Sequence, residues 1–320
     1  MTQTASSRRP GVLGVHSLDH FCLSVPDLPV AGAFYAAFGL EIRADGAKLG
    51  LYTAGSAHRW GVLTEGPRKQ LHHISFGAFA EDFPRLRDRI EQSGTLRLDS
   101  PPGFDSDGLW FRDVDRTLLE VRVAEKSSPD RKASFENSSV PAGERGAPYR
   151  SNAPRIRPRR LSHVLLFTGD IGKTITFYQN ILGLRLSDHC GNGIAFMHGI
   201  HGSDHHVIAF ARSTAPGLHH CSWDVGSVNE IGLGAMQMAT AGFGAGWGMG
   251  RHVLGSNYFH YVRDPWGSYS EYSADIDYIP ADVDWHSSDH PPEDAMHLWG
   301  PEMPADFVFN YEATEAKLRS

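Results

Sequence analysis

Three residues of this 320-residue chain, His163, His220 and Glu271, open or close short apolar segments whose patterning predicts strands. Two imidazoles and one carboxylate on separate strands can converge on one face of a curved sheet. That set suits a divalent transition metal such as Fe(II) and leaves coordination positions open. Strand alternation separates His220, Ser222 and Asp224 from His219, Cys221, Trp223 and Val225. The second set is the more apolar and should face packing, so His220 is the better ligand candidate. The chain carries 18 His but only 6 Lys, and nine of the His fall between His189 and His260. His205-His206, His252 and Tyr261 lie in the same region. Taken singly, each has an ordinary reading: a surface pair, a solvated loop residue and a core aromatic.

The elements that must position these residues occur twice. LDHFCLSVPDLPVAGAFYAAFGL (18–40) is echoed by LSHVLLFTGDIGKTITFYQNILGL (161–184), with His20 and His163 offset by 143. LHHISF (71–76) is echoed by LHHCSW (218–223) at an offset of 147, and Glu120 by Glu271 at 151. An unchanged order with a slow drift marks a duplicated module of about 110 residues. Each copy reads as β-α-β-β-β in outline, with helical spacing over PVAGAFYAAFGL and GKTITFYQNILGL ending in Gly. Ser227-Val228-Asn229-Glu230 forms a capping box before a further helix. Residues 125–160, rich in Ser, Pro and Arg, read as the linker, and 280–320 as an acidic tail packed on the second module.

His20, His73 and Glu120 repeat the ligand set in the first module. Around them, Pro101 and Trp110 fall where His252 and Tyr261 stand in the second. Chemistry is therefore expected in the second module only, and a second metal at His20, His73 and Glu120 stays open.

Composition narrows the classes. A net charge of −7 gives no basic field for nucleic acid. The apolar fraction of 41% supports real cores. The longest uncharged stretch, Ile231–Gly250, holds seven glycines and is a poor membrane span. The N-terminal residues lack the apolar core of a signal peptide, and Cys22, Cys190 and Cys221 form no C-x-x-C. A reducing cytoplasm is the expected compartment.

Nearly the whole chain, and most strongly 161–273, resembles the type I extradiol ring-cleaving catechol dioxygenases of the vicinal oxygen chelate superfamily. Gly250-Arg251-His252, then Tyr261-Val262-Arg263-Asp264-Pro265-Trp266-Gly267, then Glu271 follow that family's pattern. His260 departs from it, standing where an aliphatic residue is expected. The resemblance implies an α+β fold of two tandem domains, each of paired βαβββ modules forming a curved, barrel-like mixed sheet. It implies a non-catalytic domain over 1–124, a linker over 125–160 and a catalytic domain over 161–320. Its metal ligands carry over to His163, His220 and Glu271, with Fe(II) expected and Mn(II) the alternative. The acid–base residue carries over to His206, with His205 the competing choice, the oxygen-side residue to His252 and the substrate contact to Tyr261. The implied reaction opens a catechol ring beside its diol with O2, in a homo-oligomer of four or more chains. Two rivals share the modules: another metal-dependent enzyme of the superfamily, such as a glyoxalase or thiol transferase, and a metal-free aromatic-ligand-binding protein.

Overall fold

The computed structural model describes residues 7–136 and 140–313. The first six residues and the tail beyond 313, which the signal-peptide and acidic-tail readings touch, lie outside them.

The first module runs β1 (Ser17–Val25), α1 (Leu28–Phe38), β2 (Glu41–Asp45), β3 (Lys48–Tyr52), β4 (Arg59–Glu65), β5 (Gln70–Ala78), α2 (Phe83–Gln92), β6 (Leu109–Arg112) and β7 (Leu118–Val123). The second runs β8 (Arg160–Thr168), α3 (Ile171–Phe177), β9 (Arg185–Cys190), β10 (Ile194–His198), β11 (Ser203–Asp204) and β12 (Ile208–Arg212). It continues with β13 (Gly217–Asp224), α4 (Val228–Thr240), β14 (Gly246–Arg251), β15 (Tyr258–Arg263), β16 (Tyr269–Ala274) and β17 (Tyr278–Ile279). Seven strands pair in the order β2-β3-β4-β1-β5-β7-β6, and eight in the order β14-β15-β16-β13-β8-β12-β10-β9. Read from opposite ends the two orders coincide except that β14 has no counterpart strand, so the sequence repeat is a structural repeat. Each sheet is mixed: β1 with β4 and β5 with β7 are parallel, while β1 with β5 is antiparallel. The single β-α-β-β-β outline per module was too coarse. Each sheet joins two such units, and α2 belongs to a unit whose first return strand is reduced to a bridge between Leu98 and Trp110.

The echoed helix signals have matching local causes. Asp27 and Asp170 cap α1 and α3, accepting from Val30 N at 2.9 Å and Lys173 N at 3.0 Å. Both helices end at a left-handed glycine, Gly39 (φ 106°) and Gly183 (φ 75°), the latter after a π-helical turn over Tyr178–Leu182. A Cβ on Gly39 would stand 2.2 Å from the Ile156 carbonyl oxygen, so the glycine serves both the turn and a close approach. Ser227 caps α4 through Glu230 N at 3.1 Å, as the capping box predicts.

The modules share one core. The Phe38 ring stacks on Tyr272 at 3.9 Å, and Tyr272 Oη donates to the Phe38 carbonyl at 2.8 Å. The linker is not a loose spacer, for Phe135 stacks on Tyr258 at 5.7 Å. Nor does the tail rest on the second module alone. Buried Glu312 pairs with Lys69 at 2.7 Å and accepts from Leu71 N and Leu218 N, tying β5 to β13. No described helix is long and apolar enough to cross a membrane, and the three cysteines are free.

Burial pushes the pKa of His16 down to about 4, of His198 to about 3 and of His201 to about 4. An imidazole depressed by folding is protonated first in the unfolded chain. Its stabilisation is therefore present above the unfolded value of 6.5 and lost as pH falls below it. The melting temperature should drop between about pH 6.5 and pH 5, before most carboxylates titrate. A melting curve level over that window would contradict these three buried neutral imidazoles.

Candidate metal and active site

Register explains why the ligand candidates meet. Ser222 on β13 is the cross-strand partner of His163 on β8 and of Glu271 on β16. Those three residues form a row across adjacent strands, and His220, two positions before Ser222, shares their face. Glu271 Oε2 stands 3.3 Å from His163 Nε2 and 3.6 Å from His220 Nε2. All three residues are buried, and their ligand atoms lie within 4.8 Å of one another. The row continues to Tyr261 on β15, paired with Glu271, and to Trp247 on β14.

The polar network aims the nitrogens. The His219 Nε2–H donates to the Phe307 carbonyl at 2.8 Å, so neutral His219 accepts at Nδ1 from His220 Nδ1–H at 2.7 Å. The lone pair of His220 is thereby placed on Nε2. Ser162 donates to Asp204 at 2.9 Å and accepts from His163 Nδ1–H at 3.3 Å, which leaves His163 Nε2 free. Asn257 donates to Glu271 Oε1 at 3.2 Å. His220 Nε2 and Glu271 Oε2 are buried without a hydrogen-bond partner. Such atoms are costly unless something pairs with them. Two lone pairs and a carboxylate oxygen converging in a buried pocket fit a divalent cation.

His206 lies beside the cluster, its ring 4.1 Å from that of His163. A relay fixes its tautomer. Asp188 accepts from His205 Nε2–H at 2.9 Å, so His205 Nδ1 accepts from His206 Nδ1–H at 3.0 Å. His206 Nε2 keeps its lone pair. Burial, reinforced by the neighbouring imidazoles, pushes the pKa of His206 well below the ordinary value and keeps it neutral. His252 donates Nδ1–H to the Met296 carbonyl and accepts from Tyr261 Oη at Nε2, 2.9 Å away. Burial, with Glu271 nearby, raises the Tyr261 pKa well above 10, so it remains a phenol donor. His205 thus sits behind His206 rather than in the pocket. His260 lies outside the pocket wall, as its position opposite Tyr261 predicts.

The pocket is lined by His163, His206, His220, His252 and Tyr261 on its polar side. Leu165, Ile194, Phe196, Ala211 and Leu254 form an apolar wall. Phe196 lines the pocket and Trp247 stacks behind Tyr261 at 5.7 Å, while Trp223 and Met197 belong to the core and His198 bonds Ser187. The tail supplies Ala295, Met296, Phe307 and Val308. Sequence reasoning missed these because no periodicity ties a distant tail to a strand face. It also missed Asn257 and Asp188, for which spacing carries no signal. In the first module His20, His73 and Glu120 converge likewise, within the same 4.8 Å limit.

Residues 160–272 match the family model of the Glyoxalase/Bleomycin resistance protein/Dioxygenase superfamily. The chain is 50% identical over 299 residues to metapyrocatechase 2 of Cupriavidus necator, covering 93% of each. It is 24% identical over 308 residues to a manganese-dependent 2,3-dihydroxybiphenyl 1,2-dioxygenase of Geobacillus genomosp. 3, covering 89% of this chain and 93% of that one. The fold matches an extradiol ring-cleaving dioxygenase from B. fuscum with a TM-score of 0.75 at 20% identity, over 95% of this chain and 85% of that one.

Proposed function

The chain belongs to the type I extradiol dioxygenases of the vicinal oxygen chelate superfamily, and from that membership we propose that it opens the ring of an uncharged catechol beside the diol, at His163, His220 and Glu271. The observation that carries this reading is the pair of unpartnered buried atoms, His220 Nε2 and Glu271 Oε2, facing His163 Nε2 at the floor of an apolar pocket.

A divalent metal held by His163, His220 and Glu271 would supply Lewis acidity that lowers the catechol pKa and a common site for diol and O2. His206 takes a catechol proton at Nε2 and returns it as the ring opens. Tyr261 turns its phenol O–H from His252 Nε2 to a substrate oxygen. His252 Nε2, released from that bond, takes up a proton, and the imidazolium stabilises the charge that develops on the oxygen side. The Leu165, Phe196 and Leu254 wall excludes water and accepts the ring. No Lys or Arg lines the described pocket, which favours bare, alkyl or aryl catechols over carboxylated ones.

We assign Fe(II) as the metal. The manganese dependence of the Geobacillus relative supports Mn(II) as the alternative, since the ligand set suits both. Family resemblance supports a cytoplasmic homo-oligomer of four or more chains. It also supports catalysis within 161–320, joined through 125–160 to a non-catalytic 1–124.

Anaerobic loading with Fe(II) or Mn(II), followed by oxygen and a panel of catechols, tests this reading. A yellow semialdehyde product formed in proportion to oxygen consumed, most rapidly from uncharged catechols, is expected. Metal bound without product from any catechol would overturn it.

Asp188 is a positioning residue in this scheme, acting on His206 through His205. Asp188→Asn should lower kcat by about 10- to 100-fold with metal content unchanged, and move the acid limb of the pH profile. An unaltered pH profile would show that Asp188 is structural only.

A further inference from the structure

We propose that the first module holds a second divalent-cation site, made by His20, His73 and Glu120. The catalytic reading above assigns no role to these residues, and the inference does not depend on it.

The site reproduces the register of the other one. Ser75 on β5 is the cross-strand partner of His20 on β1 and of Glu120 on β7, and His73 lies two positions before it. The His20 and His73 rings stand 5.4 Å apart at 84°; those of His163 and His220 stand 5.4 Å apart at 78°. All three side chains are buried. Asp19 accepts from His20 Nδ1–H at 2.7 Å, the carboxylate–imidazole support that readies Nε2 as a metal ligand. That Nε2 faces His73 Nε2 at 3.4 Å. A long nitrogen–nitrogen contact between two buried rings is a poor hydrogen bond, and a shared cation satisfies both. Glu120 accepts from Ser75 at 2.6 Å and from Ser106, and each carboxylate oxygen retains a lone pair.

What differs is the surrounding chemistry. Trp110 pairs with Glu120 where Tyr261 pairs with Glu271. Gly61 pairs with Phe21 as Ile208 pairs with Val164, which sets Arg59 at the position of His206. The adjoining cavity is lined by Lys48, Arg59 and Arg122 as well as Asp45 and Asp105. It lacks the phenol and the neutral base that ring opening requires. The ion is therefore held without turnover, clamping β1, β5 and β7 together. Two imidazoles and a carboxylate select a first-row divalent cation such as Mn(II) or Zn(II).

The test is metal content after anaerobic loading of the full chain with Mn(II) and removal of free ion. The wild type should hold about two Mn(II) per chain, and Glu120→Gln, which preserves shape, about one, with ring opening retained. His73→Ala and His220→Ala should each hold about one, and the double variant none. A wild-type ratio near one that vanishes in His220→Ala would overturn the second site and leave the catalytic reading intact. A single ion kept in His220→Ala but lost in Glu120→Gln would do the reverse.

Discussion

His206→Phe loses about 10²- to 10⁴-fold in kcat and keeps its metal, the range for removing a positioned acid–base group. His206 touches the His163 ring but is not among the three residues whose ligand atoms converge. Its Nδ1 is committed to His205, and its one free nitrogen faces the pocket. Phenylalanine fills the same space against Phe196, 4.9 Å away, so packing survives while the proton acceptor is gone. Metal analysis and kcat measured together check this. Loss of the ion in this variant would make His206 a ligand and overturn the division of roles.

Glu271→Gln acts on metal binding itself. The carboxylate is fully buried, carries the only negative charge on the cluster and leaves Oε2 unpartnered. A neutral amide keeps the shape, and Asn257 can still bond its oxygen. It cannot balance the charge of a divalent ion. Groups that merely support a ligand cost 10- to 100-fold in affinity when removed, so removing the ligand itself should exceed about 100-fold. Titration with Mn(II) reads this out, and ring opening should fall in step. Retained affinity at the second-module site would show that Glu271 is not a ligand.

Much of this was legible because the chain repeats. One His at the start of a strand says little, but His20 and His163 with matched Asp caps and matched glycine stops locate the same strand–helix unit twice. The two later echoes then place His220 and Glu271 on strands neighbouring His163, since equal order implies equal topology. Alternation sets His220 toward the cluster, where the structure also has it, and His219 holds the His220 tautomer through Nδ1. The hidden parts are those without local periodicity. Asp188 reaches His206 through a third residue, and Phe307 and Met296 arrive from a tail whose path is set by tertiary contacts such as Glu312 with Lys69. The short strands β2–β4 and β9–β12 were also hidden, ranging from the exposed β2 to the buried β12, so that pairing rather than composition defines them.

The most direct measurement is mass analysis of the product formed from a simple catechol under ¹⁸O₂. Ring opening at His163, His220 and Glu271 predicts that both labelled atoms enter one product molecule, and that Glu271→Gln forms none. An unlabelled product, or labelled product from Glu271→Gln at the wild-type rate, would contradict it.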